Sequence, residues 1–255
     1  MGIRSFAEQL SRGVVLRRRL PAKFQSIPIY VTPEAGLRYW SRMSTVDPVL
    51  YSMAEELVKP GSVVWDIGAN VGLFAFSAAA LACRSGFVLA VEPDLWLAQL
   101  ITRSARKLAN QGKDCSEVKI LCASISDANR VASLEIAERA RASNHLSQVD
   151  GSSQAQGTRQ TQLSVSLTLD FLLDRFPAPT VLKIDVETHE PSVLKGAERL
   201  LREARPTIWC EVSHENSIAV TELLHQANYD LFGAETRPHQ PTNRAWFHTL
   251  AVPTS

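Results

Sequence analysis

From residue 62 onward, short apolar runs alternate with longer stretches in which apolar positions recur every three or four residues. The short runs are Val63-Val64-Trp65, Phe87 to Val91, Val118 to Cys122, Val181 to Val186 and Pro206 to Val212. Runs of this length, rich in valine and isoleucine, predict strands buried on both faces. Between them, Leu73 to Ala82 is one helical segment, and Leu97, Leu100, Ile101 and Leu108 stripe a second after Asp94. Val193, Leu194, Ala197, Leu200 and Leu201 stripe a third, and Val220, Leu223, Leu224 and Ala227 a fourth. Such alternation predicts a mostly parallel sheet with helices on both faces. Residues 229–232 and 245–251 predict a closing antiparallel pair.

Two regions break the rhythm. Residues 1–60 read as a helical and extended cap ahead of a domain over 61–255. In the cap, Leu20-Pro21 ends a first helix, because proline cannot continue one. Residues 27–31 predict a strand placed at an edge by Pro28. Asp47-Pro48 opens a helix with an N-cap and a proline at its first position, and Lys59-Pro60-Gly61 closes it. In the second region, Val131 to Ile136 predicts an added strand. Gln148 to Gln162 is rich in Gly, Ser, Gln and Thr and reads as a loop.

Composition narrows the class. The 255 residues are 45% hydrophobic and 21% charged, as in a soluble globular protein, with a formal net charge of +1. Bulk charge therefore gives no argument for a nucleic-acid partner. A local exception is Arg17-Arg18-Arg19, with Arg12 and Lys23 nearby. Ile3, Phe6, Leu10 and Val14 form a helical stripe beside it, which suits a weak membrane-surface contact, packing on the chain's own domain, or a sister subunit in a homo-oligomer. The four cysteines show no C-x-x-C pair and no zinc spacing, so a reducing cytoplasm is the simplest setting. Cys122 and Cys210 read as buried thiols. No run reaches the ~18 apolar residues that span a bilayer.

In open parallel sheets, ligands bind beyond the carboxyl ends of the strands. The first such end reads Asp66-Ile67-Gly68-Ala69-Asn70-Val71-Gly72, a D-x-G-x-N-x-G pattern. A nicotinamide fingerprint is G-x-G-x-x-G, which seats a pyrophosphate. An acid at the strand tip repels a pyrophosphate and suits an ammonium group. S-adenosylmethionine presents an ammonium, a carboxylate and no phosphate. Gly68 and Gly72 let the backbone approach a ligand, and the helix start near Val71 suits its carboxylate. Glu92, at the next strand end, is placed to accept both ribose hydroxyls. An oxidoreductase or epimerase that uses nicotinamide is the alternative, but no Tyr-x-x-x-Lys pair follows Tyr39 or Tyr51. A cofactor-binding scaffold without catalysis is a second alternative.

Beyond this turn the chain resembles the FkbM family of methyltransferases. The resemblance runs from Lys59-Pro60-Gly61 through the Asp66 to Gly72 turn, Glu92-Pro93, and Ala123-Ser124-Ile125-Ser126-Asp127. It continues in Leu182-Lys183-Ile184-Asp185-Val186-Glu187, Glu190, Val193-Leu194-Lys195-Gly196-Ala197 and Glu211, and it covers roughly residues 47 to 233. It implies a Rossmann-like class I methyltransferase fold: a seven-stranded, mostly parallel sheet with an antiparallel last strand. It also implies methyl transfer to a hydroxyl, often on a sugar or a natural product, so the partner is a small-molecule or glycan acceptor. Cofactor residues carried over are Asp66, Gly68, Ala69, Asn70, Gly72 and Glu92, with Ser124 and Asp127 toward the adenine. One departure is Thr188, where the family pattern has glycine after Asp-x-Glu.

An alcohol is a poor nucleophile while protonated, so a base is needed. Asp185 is placed close to the transferred methyl, and His189 is favoured as base because imidazole titrates near neutrality. Glu187 is a further candidate, or a structural partner of Lys183. Glu190 reads as the start of the next helix, and His214 as a surface residue or a base. Asp185, Glu187 and Glu211 keep Mg²⁺ open as an unfavoured alternative. The acceptor is expected to meet the cap and the loops at 138–162 and 234–244, with Arg237, His239 and Arg244 facing it.

Overall fold

The computed structural model describes residues 11–137, 145–147, 158–235 and 237–254. In chain order the elements are β1 (Leu16–Arg19), β2 (Pro28–Val31), α1 (Pro48–Leu57), β3 (Val63–Ile67), α2 (Leu73–Ala82), β4 (Phe87–Val91), α3 (Leu95–Ala109) and β5 (Glu117–Leu121). There follow β6 (Ser124–Ile125), β7 (Arg130–Ala137), β8 (His145–Ser147), β9 (Thr158–Leu167), α4 (Leu169–Leu173), β10 (Val181–Ile184), α5 (Glu190–Lys195) and α6 (Glu198–Glu203). The chain closes with β11 (Thr207–Glu211), α7 (Ser217–Gln226), β12 (Tyr229–Gly233), β13 (Gln240–Pro241) and β14 (His248–Pro253).

The main sheet runs β13-β12-β14-β11-β10-β3-β4-β5. From β5 to β11 the strands are parallel, and β14 lies antiparallel between β11 and β12. The seven strands of a class I methyltransferase are thus present, with β13 as a two-residue extension. Strand order reverses between β3 and β10, which opens a crevice at their carboxyl ends.

Side chains alternate across the sheet and give it two cores. Trp65, Ile67, Leu182, Ile184, Ile208 and Cys210 pack with α4 to α7 on one face. Val64, Val88, Val181 and Trp209 pack on the other with α2, α3 and the 20–58 segment, including Phe24, Ile29 and Met53. Each of those fully buried cap side chains contributes roughly 1.5–3 kcal/mol. The cap is therefore part of the domain core. Asp47 caps α1 as expected, its Oδ1 accepting the Leu50 N–H at 3.0 Å.

Three expectations are corrected. The arginine run lies on β1, paired antiparallel with β2, and not on a helix ending at Leu20. Gly13 takes φ 73°, outside the helical range, and Leu16 to Arg19 alternate half-buried and exposed as a strand requires. Ile3, Phe6 and Leu10 lie outside the described residues. Residues 158–162 belong to β9, which pairs along β7, and residues 148–157 lie outside the described residues. Cys122 is exposed because β5 ends at Leu121, whereas Cys210 is buried. Among the described residues, no helix is long and apolar enough to cross a membrane.

Candidate functional site

The corner after β3 is built by backbone that only certain residues tolerate. Gly68, Asn70 and Gly72 take φ of 77°, 55° and 82°. A Cβ on Gly68 would stand 1.8 Å from the Asp185 carbonyl oxygen, so the two strand exits touch there. The Gly68 and Ala69 N–H groups both donate to the Val91 carbonyl at 3.0 Å, which ties this turn to the end of β4. Gly72 begins α2 without a side chain to cap it. Asp66 supplies the cap from the strand below, its Oδ2 accepting the Ala75 N–H at 3.0 Å.

Asp66 is 1% exposed, and its carboxylate turns into the protein. Register places Lys183 beside it on the same face of the sheet. Lys183 Nζ lies 3.1 Å from Asp66 Oδ1, an ion pair without hydrogen-bond alignment. It also donates to Asp185 Oδ2 at 3.2 Å and to the Gly68 carbonyl at 3.2 Å. Burial alone would lower the Lys183 pKa, but Asp185 and Asp66 outweigh it and hold the ammonium charged. One cation shared by two carboxylates compensates neither fully, and burial raises Asp66 above its usual range. Two sequence expectations change here. Lys183 pairs with Asp66 and Asp185, not with Glu187. Asp66 shapes the corner from within, where a direct reach to a ligand ammonium was expected.

Glu92 is 6% exposed at the tip of β4. Its Oε2 accepts the Asn70 N–H at 2.7 Å and its Oε1 the Asp94 N–H at 2.9 Å. These bonds lower its pKa, but burial dominates and pushes it up to about 8. Asn70 Oδ1 is buried without a hydrogen-bond partner. Gln162 of β9 reaches the same turn, its Nε2 donating to the Pro93 carbonyl at 2.8 Å and its Oε1 accepting the Leu95 N–H at 3.3 Å. Ser124 is buried in β6, paired with Ser166 of β9. Asp127 is exposed and bonded to Ser126 and Arg130. Ser124 thus belongs to the second sheet, and Asp127 to the turn between β6 and β7.

After β10 the chain makes a second tight corner. Glu187 and Thr188 both take left-handed φ, 40° and 67°. For a β-branched residue this costs ~1–3 kcal/mol, so the turn is kept where the family pattern has glycine. Desolvation, then Asp185 and Glu190, raise Glu187 to about 7, although much of the residue is exposed to water. His189 is half-buried at the start of α5, its Nδ1 3.4 Å from the Glu187 carbonyl. Glu190 is buried and holds the 213–216 turn through Ser213 and Asn216. His214 is exposed on that turn.

Sequence reasoning missed the far wall. His248 opens β14 opposite Glu211 in register. Its Nδ1 is buried, has no hydrogen-bond partner, and lies 3.9 Å from Glu211 Oε1. Burial lowers the His248 pKa, and desolvation followed by Asp185 raises Glu211 to about 7. Arg38, paired with Asp47 at 2.9 Å, brings the cap within electrostatic reach of Asp185. A lone histidine before an alternating strand gave no signal, nor did an arginine in the cap. Among the described residues, no group of three His, Cys, Asp or Glu side chains is arranged to hold a metal, so Asp185, Glu187 and Glu211 do not converge as ligands. The loop residues expected to face an acceptor are engaged elsewhere. Arg237 and His239 clasp Glu56 at 2.7 and 2.6 Å, and Arg244 donates to Ser217 Oγ at 2.8 Å.

Comparison with known proteins agrees with this architecture. The profile of the methyltransferase FkbM domain matches residues 66–231. Among solved structures, a methyltransferase FkbM from Methylobacillus flagellatus KT superposes with a TM-score of 0.50 at 16% identity, over 79% of this chain and 50% of that one. The chain thus spans about half the length of that protein. A precorrin-6y C5,15-methyltransferase from Geobacter metallireducens GS-15 gives 0.46 at 14% identity, over 80% and 86% of the two chains. An S-adenosylmethionine-dependent O-methyltransferase from Thermotoga maritima gives 0.45 at 14% identity, over 82% and 66%. Among curated proteins, none matches the sequence.

Proposed function

Because the chain belongs to the FkbM family of S-adenosylmethionine-dependent methyltransferases, we propose that it methylates a hydroxyl on a sugar or a natural product. The observation that carries this reading is the Gly68 to Gly72 corner locked to Glu92. Its residues suit the cofactor. Asn70 Oδ1 is a buried acceptor with no donor, as an ammonium group would require. Glu92 spends one oxygen on each of two N–H groups and keeps further acceptor capacity for ribose hydroxyls. The first turn of α2 offers N–H groups and a positive dipole end to a carboxylate.

When bound, the cofactor supplies an electrophilic methyl group on sulfur. The chain's own residues then hold the acceptor and take its proton. Asp185 stands at the crevice with its charge shared by Lys183. His189 and Glu187 rim the same corner and are the proton acceptors of this reading. A second reading assigns the proton to His248 backed by Glu211, favoured by its buried unpartnered nitrogen.

The reading is tested with cofactor carrying a tritiated methyl group and a panel of saccharides and hydroxylated natural products. The expected product is an alkali-stable methyl ether. Label released by mild base marks a carboxyl ester and would overturn O-methylation of a hydroxyl. His189→Ala is expected to cut turnover while leaving cofactor affinity unchanged.

A further inference from the structure

The face formed by β1, β2 and α3 carries a basic strip that the nearly neutral composition conceals. The ribbon packs on α3, with the Tyr30 N–H donating to Ser104 Oγ at 2.8 Å. Arg17 stands opposite Tyr30 in register, and the Arg103 guanidinium lies 4.0 Å from the Tyr30 ring centre. Arg17 therefore lies on the same face of the ribbon as that ring, and Arg19 follows two residues along the same exposed side of β1. Arg106 and Lys107 repeat the Arg103 position one helical turn later and are exposed. Arg106 in turn shares a cavity of about 580 Å³ with Arg84 and Lys113.

The acids beside the cavity are already engaged. Glu117, on the cavity wall, pairs with Lys119 at 3.0 Å, and the Asp114 carboxylate accepts the Arg84 N–H. Among the described residues, Arg17, Arg84, Arg103, Arg106 and Lys107 have no carboxylate within ion-pair distance. The formal charge of the whole chain is only +1, so acids elsewhere in the chain balance this strip. Arg103 to Lys107 lie in the far half of α3, a helix ~22 Å long whose start adjoins Glu92.

We propose that this strip docks the protein onto an anionic phospholipid surface, leaving the strand-tip crevice clear. The arrangement fits phosphates presented in a plane better than a nucleic acid. The Tyr30 ring is covered by Arg103, so it gives no platform for stacking a base. Ribbon and helix are packed on each other, so neither stands free to enter a groove. Each cation near such a surface contributes about five-fold in affinity at moderate salt.

The test is co-sedimentation of the full chain with phosphatidylcholine vesicles, with or without ~30% phosphatidylserine, at ~0.1 and ~0.5 M salt. Binding is expected only to the anionic vesicles and only at the lower salt. The triple variant R103E/R106E/K107E is expected to bind them about a hundred-fold more weakly, with unchanged affinity for S-adenosylhomocysteine as proof of folding. If that variant misfolds, Arg17→Gln with Arg19→Gln is expected to show a ten-fold or greater loss. No sedimentation of the wild type with anionic vesicles would overturn the proposal, as would unweakened binding by a folded variant. Displacement from vesicles by a short RNA or DNA duplex at lower concentration would replace it with a nucleic-acid surface.

Discussion

Two glycines share a strained backbone and differ in what surrounds them. Gly68 and Gly112 take φ of 77° and 62°, conformations that cost an alanine ~1–2 kcal/mol. A Cβ on Gly112 meets nothing within 4 Å, whereas on Gly68 it would stand 1.8 Å from the Asp185 carbonyl oxygen. Gly112→Ala therefore isolates the backbone cost. Gly68→Ala adds a shift of about 1 Å between the exits of β3 and β10, which overpacking data put at ~1–3 kcal/mol more. The shift also strains the contacts of Lys183 with Gly68 and Asp185. Urea unfolding followed by circular dichroism is expected to give a loss of ~1–2 kcal/mol for Gly112→Ala and ~2–5 kcal/mol for Gly68→Ala. Calorimetry with S-adenosylhomocysteine is expected to show unchanged affinity for the first and at least a ten-fold loss for the second. Equal stability and equal affinity in the two variants would refute the argument that the 68–185 contact shapes the corner.

Three further outcomes follow from the same geometry. Lys183→Met leaves Asp66 buried and uncompensated and is expected to cost ~3–5 kcal/mol; adding Asp66→Leu should recover part of it, and no recovery would deny the pair its role. Glu92 is held at about 8 in the folded protein against 4.5 in the unfolded chain, so the folded state binds the extra proton. Its stabilising contribution is full below pH 4.5 and fades as pH rises through about 8, with Glu187 and Glu211 adding slopes that end near 7. Urea midpoints at several pH values should fall across this range and fall less in Glu92→Gln; parallel slopes would contradict the assignment. Gln162→Ala removes the clamp on the Pro93 to Leu95 turn. It is expected to cost ~1 kcal/mol and to speed amide exchange at Leu95, and unchanged exchange would show that the second sheet does not steady this turn.

Much of this molecule is legible without coordinates wherever the signal is local. Leu73–Ala82 and Phe87–Val91 emerge with their expected bounds, because period, glycine turns and flanking acids all agree. The Asp47 cap is equally local. The failures share a cause, which is that distant partners decide. Leu16 to Arg19 carries a strand only because β2 lies beside it. Residues 162–167 of β9 alternate polar and apolar but in the inverted sense, with Ser164 and Ser166 buried and Leu163 and Val165 exposed, so the run does not present the apolar inner face that marks a strand. At the site, the D-x-G-x-N-x-G spacing reveals the corner but not that Asp66 faces inward, since that depends on Lys183 in a neighbouring strand. His248 and Arg38 join the crevice wall through register and cap packing, which leave no trace at their own positions.

A crystal structure of the full chain with S-adenosylhomocysteine decides whether the corner joining Asp66, Gly72 and Glu92 seats the amino-acid and ribose portions of the cofactor. The ligand's amino group is expected beside Asn70, its carboxylate at the first turn of α2 and its ribose hydroxyls on Glu92. Ligand bound away from this corner, or no density at saturating concentration, would contradict that placement.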